Sequence, residues 1–136
     1  MAVDLEQELQ RTTALRGFRF GLHDFVAQVK GAEALKKHND ATEANYLKKG
    51  NLDRKTKELA IVVACIALKD SAAHLQCHMH AARNAGATPE EMLELIELVG
   101  RWTDSVARIN GLEAWRAAFR PDVPSIIRVV ALQQVQ

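Results

Sequence analysis

KELAIVVACIALKDSAAHLQCHMHAARNAGATPEEM, residues 57–92, is the stretch whose reading decides the fold. From Leu59 to Leu68 every residue is apolar. Ile61, Val62 and Val63 would suit a strand, but the length of the run and its KTKEL lead-in predict a helix. A helix with no polar face has to be enclosed by protein, at the centre of the fold or against a second subunit. Lys69-Asp70-Ser71 then interrupts the run, and either Asp70 or Ser71 can cap a second helix over 72–85. Gly86 stops that helix, because glycine adopts a left-handed C-cap at little cost. Thr88-Pro89-Glu90-Glu91 predicts a third helix, with Thr88 as N-cap, Pro89 at N1 and Glu91 closing a capping box.

Upstream, Leu5, Leu9 and Thr12 recur at helical spacing and predict a short helix over 4–16. Phe18, Leu22, Phe25, Val26 and Val29 predict another over 18–30, stopped by Gly31. AEALKKHNDATEANYLKK reads as a surface helix with a break near Asn39. Lys49-Gly50-Asn51 is a turn, and Asp53 caps the apolar helix that starts at Arg54. Downstream, Met92, Leu95, Ile96 and Val99 share a face, Gly100 marks a pause, and Val106, Ile109, Leu112, Trp115 and Phe119 carry the period on. Pro121 and Pro124 end it. Trp102 and Trp115 read as core or interface anchors. The tail SIIRVVALQQVQ suits a short helix or a strand equally. No strand pairs are evident, so the fold class is all-α, in a single domain spanning 1–136.

The chain has 136 residues, 48% apolar and 26% charged, ordinary values for one globular domain. Its formal charge of +1 leaves no electrostatic footprint for nucleic acid or an anionic membrane. The longest apolar run is about half of what a membrane span requires. The acidic-polar start, MAVDLEQELQRTT, is unlike a signal peptide. Two cysteines, Cys65 and Cys77, fit no zinc or CxxC spacing and read as buried free thiols, which points to the cytoplasm.

The chemistry-bearing residues concentrate on the second helix. Ser71, His74 and His78 stand at i, i+3 and i+7, which places a hydroxyl and two imidazoles on one face. His80 and Cys77 point elsewhere. An imidazole exchanges protons at neutral pH, so the pair suits acid/base work. It also suits sharing a divalent metal such as zinc, with Glu58 or a residue from another chain as third ligand. Purely structural histidines are the plain alternative. Glu58 either favours the helix dipole or serves as a carboxylate whose burial tunes its proton affinity.

KELAIVVACIAL, the histidine helix and AARNAGATPEEMLELI together resemble the carboxymuconolactone decarboxylase family, which includes the AhpD-like alkylhydroperoxidases. The resemblance covers about residues 50–118. It implies an AhpD-like helical bundle that is an obligate homo-oligomer, a trimer or hexamer, with active sites near subunit interfaces. In the peroxidase branch a glutamate precedes CxxC, and a histidine follows four residues after the second cysteine. Counted back from His78, the cysteine positions fall on Ser71 and His74. Without that dithiol the peroxide cycle lacks its nucleophile and resolving partner. Cys65 lies within the apolar run and Cys77 off the histidine face. The decarboxylase branch keeps the histidine, four residues after a glutamate that is His74 here. The interval from Glu58 to His78 is one residue longer than the family's usual one.

The expectation is therefore a non-redox lyase or isomerase acting on a small acidic or lactone substrate. His78 would be the general acid/base, His74 its partner or a substrate clamp, Glu58 a proton relay, and Ser71 a further site residue. No cofactor is expected, with a divalent metal such as zinc at His74 and His78 as an alternative. The alternatives are an AhpD-like thiol peroxidase using Cys65 or Cys77, and a non-catalytic family member.

Overall fold

The computed structural model describes residues 1–135, apart from the side chains of Asn45 and Tyr46. Every regular element among the described residues is helical. α1 spans Leu5–Arg16, α2 Gly21–Phe25, α3 Ala32–Thr42, α4 Arg54–Ala67, α5 Ala72–Asn84, α6 Pro89–Trp102 and α7 Ser105–Phe119. π-helical turns extend α2 through Val26–Lys30 and α3 through Glu43–Leu47.

α4 to α7 form a bundle in which α5 packs on α4 and α7, and α6 packs on α7 and α4. Its core is Val62 and Ile66 from α4, Leu75 and Met79 from α5, and Met92 and Ile96 from α6, all fully buried. The buried residues of α7 are all small, Ala107, Gly111 and Ala114, and its partly buried Leu112, Trp115 and Phe119 pack against the core around them. A Cβ on Gly111 would stand 3.1 Å from Ile96 Cγ2, so glycine lets α7 settle directly onto the large side chains of α6. Trp115 donates its indole N–H to the Pro89 carbonyl at 2.7 Å, fastening α7 to the start of α6. The capping box forms as expected: Glu91 N–H donates to Thr88 Oγ1, and Thr88 N–H donates to Glu91 Oε2.

α1, α2 and α3 pack on one another as an N-terminal layer. Its buried centre is polar. Asn39 Nδ2 donates to the Glu8 carbonyl and carboxylate at 3.1 and 2.9 Å, and Thr12 Oγ1 lies 3.0 Å from Asn39 Oδ1. Arg11 binds Asp40 at 2.8 Å and Glu43 at 2.5 Å. The layer meets the bundle where Asn84 reaches the Arg16 carbonyl at 3.5 Å. Gly17, at φ 81°, makes that meeting possible, since a Cβ there would press on Asn84 Nδ2 at 2.8 Å.

Several boundaries differ from the sequence reading. The second helix starts at Gly21 rather than Phe18. Asn39 does not break α3, because its side chain is satisfied inside the layer. α6 runs through Gly100, and the pause falls at Thr103, after which Asp104 caps α7 with a bond from Ala107 N–H. The tail is neither helix nor strand over its described residues, and Gln136 lies outside them. Trp102 is 85% exposed, so it anchors nothing within this chain. α4 is not fully enclosed either: Ala60, Ala64 and Ala67 face outward.

His23 gives the layer a pH dependence. Its ring is fully buried, edge-on to Phe20 and His38, with Arg16 and Asp24 as the nearby charges. Burial, and then Arg16 and His38, hold its pKa at about 4, against an ordinary 6.5. Above pH 6.5 the imidazole is neutral in both folded and unfolded chains. Between 6.5 and about 4 the unfolded chain takes up a proton that the folded chain refuses. Stability should therefore fall as pH falls through that window, by up to about 1.4 kcal/mol per pH unit from this group. Urea unfolding at pH 7, 6 and 5 should show a steeper loss in the wild type than in His23→Leu; equal slopes would contradict the assignment.

Candidate active site

The site is built by the way α4 hands over to α5. Leu68 closes α4, and Lys69 turns into the left-handed region at φ 56°. Lys69 N–H then donates to the Ile66 carbonyl and Asp70 N–H to the Cys65 carbonyl, both at 3.0 Å. This is a Schellman termination with lysine where glycine is usual. The same closure ends α5, where Gly86 at φ 101° lets Ala87 N–H reach the Ala82 carbonyl at 2.9 Å.

The first of these turns folds Asp70 back over Cys65 and aims its carboxylate along α5. Ser71 N–H donates to Asp70 Oδ1 at 2.8 Å, and His74 Nδ1 donates to Asp70 Oδ2. The other edge of His74 meets His78, with the two Nε2 atoms 3.2 Å apart and the rings nearly perpendicular. Asp70, His74 and His78 thus form one hydrogen-bonded line down a helix face, each four residues from the next. Cys65 completes the group: one donor atom from each of Cys65, His74 and His78 lies within 4.8 Å of the other two.

The electrostatics follow from this arrangement. Hydrogen bonds from His74, the Ser71 amide and the Cys65 thiol hold the Asp70 carboxyl below its usual range, so it is anionic at neutral pH. Burial pushes the His78 pKa down, and the charges of His74 and Arg16 add to the effect, leaving the imidazole neutral at pH 7. Burial and then Asp70 raise the Cys65 thiol, and burial raises Cys77. Asp70 keeps a proton on His74 Nδ1, so the contact between the two Nε2 atoms holds a single proton that either ring can carry. His74 faces solvent while His78 is half-buried.

The structure thus brings His74 and His78 together, as their spacing predicts. Ser71 sits beside them as the N-cap of α5, its hydroxyl accepting from His74 N–H at 3.2 Å. Glu58 has other company. It is fully buried on the first turns of α4, with Arg54 Nε 3.6 Å from its Oε1. The carboxylate on the histidine pair is Asp70. Cys65, read from the sequence as a residue within the apolar run, is placed by the Schellman turn with its sulfur beside the histidines. Asp70 was legible as a third member of a D-x3-H-x3-H stripe at positions 70, 74 and 78, whereas nothing in the spacing announced Cys65. His80 points away, as expected, against Phe119. A separate cleft of about 360 Å³ at the start of α4 is lined by Lys48, Lys49, Arg54 and Lys57 among others, and includes none of the histidine group.

A family model for carboxymuconolactone decarboxylases matches residues 32–121, from the start of α3 to just past α7. The match takes in the whole histidine site and most of the chain. The protein belongs to the carboxymuconolactone decarboxylase family. The region of likeness begins earlier than residue 50, where the sequence motifs start, because α3 is included. No curated protein and no solved structure matches the chain. The all-helical architecture fits the family fold. Among the described residues no helix is long and apolar enough to cross a membrane.

The cap assigned to Ser71 is separable from chemistry. Ser71→Ala should cost about 1 kcal/mol of stability, and Ser71→Asp, which restores an acceptor, should recover it. Thermal and urea unfolding check this; a Ser71→Ala variant as stable as the wild type would show that the hydroxyl is not acting as a cap.

Proposed function

We propose that this carboxymuconolactone decarboxylase family protein is a non-redox lyase or isomerase that moves protons on a small acidic or lactone substrate. The observation that carries the reading is the Asp70–His74–His78 line, in which the two facing Nε2 atoms stand at hydrogen-bond distance, 3.2 Å apart. His78, half-buried and neutral, is the group for the substrate. In a decarboxylation the bond to the carboxylate carbon breaks, its electron pair passes into an enolate, and CO₂ leaves. The enolate carbon then takes the Nδ1 proton of His78 as His78 Nε2 takes the shared proton from His74, so His78 stays neutral throughout. His74, steadied by Asp70 and open to solvent, returns the proton. Asp70 stabilises the transient imidazolium, a role that suits a carboxylate kept ionised by three hydrogen bonds. The thiol peroxidase alternative is less well supported, since both thiols are pushed away from the thiolate form that attacks peroxide.

The test is a panel of small carboxylated lactones assayed for CO₂ release in deuterium oxide. Deuterium should enter the product carbon. His78→Gln and His74→Gln should each lower turnover by about 10²–10⁴-fold, the usual range for general acid–base catalysis. Cys77→Ser should leave turnover intact. Peroxide consumption by the wild type with a dithiol reductant, and no turnover of the acids, would overturn the reading.

The active unit in this reading is a homo-oligomer in the cytoplasm, a trimer or hexamer. Support comes from apolar side chains that a single chain leaves in water, among them Phe25 at 54%, Trp102 at 85% and Val106 at 52% exposure, and from the outward alanine stripe of α4. Two free thiols fit a reducing compartment. Sedimentation velocity at micromolar protein should show one species of three or six chains; a monomer throughout would remove this part of the proposal.

A further inference from the structure

We propose that Cys65, His74 and His78 form a binding site for a soft divalent cation, zinc being the best fit, with a fourth position open to water or a small anion. Three donors converge: one ligand atom from each residue lies within 4.8 Å of the other two, and the histidine Nε2 atoms are 3.2 Å apart. A tetrahedral ion with Zn–N distances near 2.0–2.1 Å needs its two nitrogens about 3.3 Å apart, so the imidazoles already stand at ligand separation. With Zn–S near 2.3 Å, sulfur and nitrogen need about 3.6 Å, which the thiol would reach by closing in from within 4.8 Å.

The surroundings suit the ion as well as the donors do. Asp70 binds His74 through Nδ1, which fixes the tautomer and leaves Nε2 free to face the metal. This is the carboxylate–histidine arrangement that orients imidazole ligands in zinc proteins. Binding deprotonates Cys65, and the thiol proton leaves to solvent. The resulting single positive charge on the zinc–thiolate unit is balanced by the Asp70 carboxylate, which is already anionic. His74 is exposed on its outer side, so the ion has a route in. Cysteine and two histidines with an open position match zinc, and sulfur disfavours magnesium and calcium.

The site does not depend on the reaction proposed above, but it has a consequence for it. The ion would occupy the same two Nε2 atoms that share the proton. Metal loading and proton shuttling at His74 and His78 therefore exclude each other, and zinc is predicted to inhibit proton-transfer turnover by this protein. In that case the cluster is a metal-sensitive control point on the acid/base pair.

The experiment is a titration of untagged, chelator-treated protein with Co²⁺ and then Zn²⁺, followed by absorbance and calorimetry. One Co²⁺ per chain should bind with a near-ultraviolet thiolate-to-cobalt charge-transfer band and tetrahedral visible bands, and Zn²⁺ should displace it. Cys65→Ser should abolish the charge-transfer band. Both Cys65→Ser and His74→Gln should weaken zinc at least about tenfold, and Asp70→Asn about 10–100-fold, as losing an outer-shell partner does. Cys77→Ser should bind as the wild type does. Circular dichroism checks the fold of each variant; should Cys65→Ser misfold, His74→Gln, altered at an exposed position, carries the same test. Failure to bind either ion at millimolar concentration, or a charge-transfer band that survives Cys65→Ser, would overturn the site and leave the proton-transfer reading standing. Zinc bound with the predicted variant pattern, in a protein that turns over no acid substrate, would sustain the site and discard that reading.

Discussion

The constraint on which the site depends is the left-handed conformation of Lys69. A lysine at φ 56° gives up roughly 1–2 kcal/mol relative to glycine in that region. The turn persists because its neighbours fix it: two backbone hydrogen bonds close the end of α4, and Lys69 Nζ reaches Asp104 at 2.6 Å, on the N-cap of α7. That ion pair is nearly half exposed at both ends and adds little by itself. The bond from Asp70 N–H to the Cys65 carbonyl is the more consequential, because it sets a carboxylate above the last turn of α4 and in line with the first turns of α5. A more open connection would leave the helices and the core intact, yet it would separate Asp70 from Cys65 and His74.

Much of the bundle was legible because its signals are local. The capping box at Thr88–Glu91, the caps at Asp53 and Ser71 and the stop at Gly86 are short-range hydrogen-bond devices that residue types announce directly. The pairing of His74 with His78 follows from helix geometry alone. The turn at Lys69 was not legible, since no residue type there asks for a positive φ, and without it Cys65 looked like one more apolar-run residue. Asn39 misled for a related reason. An asparagine in mid-helix usually weakens the helix, but here Glu8 and Thr12, some thirty residues upstream, satisfy its amide inside the N-terminal layer. Tertiary partners of that kind leave no mark in the local pattern.

The buried acid of α4 shows how burial differs from reactivity. Glu58 is sealed from solvent, and Arg54 stands beside it at 3.6 Å, longer than a hydrogen bond. Neither carboxylate oxygen has a hydrogen-bond partner among the described residues. The charges that act on His78 are instead His74, Arg16 and Asp70. A carboxylate at the head of an apolar helix is therefore insufficient evidence of a proton relay; what matters is which ring nitrogen it can reach.

The groups that define the site all fall between residues 65 and 78, within a single α4–turn–α5 unit. Its inner face is fastened by Val62, Ile66, Leu75 and Met79, each fully buried. Donor positions thus inherit the rigidity of the core, because a packed interior resists the small displacements that would spoil a 3 Å contact. The N-terminal layer acts differently. It reaches His78 through the charge of Arg16, which lies on the last turn of α1 and also acts on His23 and His38. One guanidinium therefore bears on the proton affinity of three imidazoles, two in the layer and one in the site. Geometry at the site is set by the bundle, and the layer's part is electrostatic, disfavouring the protonated form of His78.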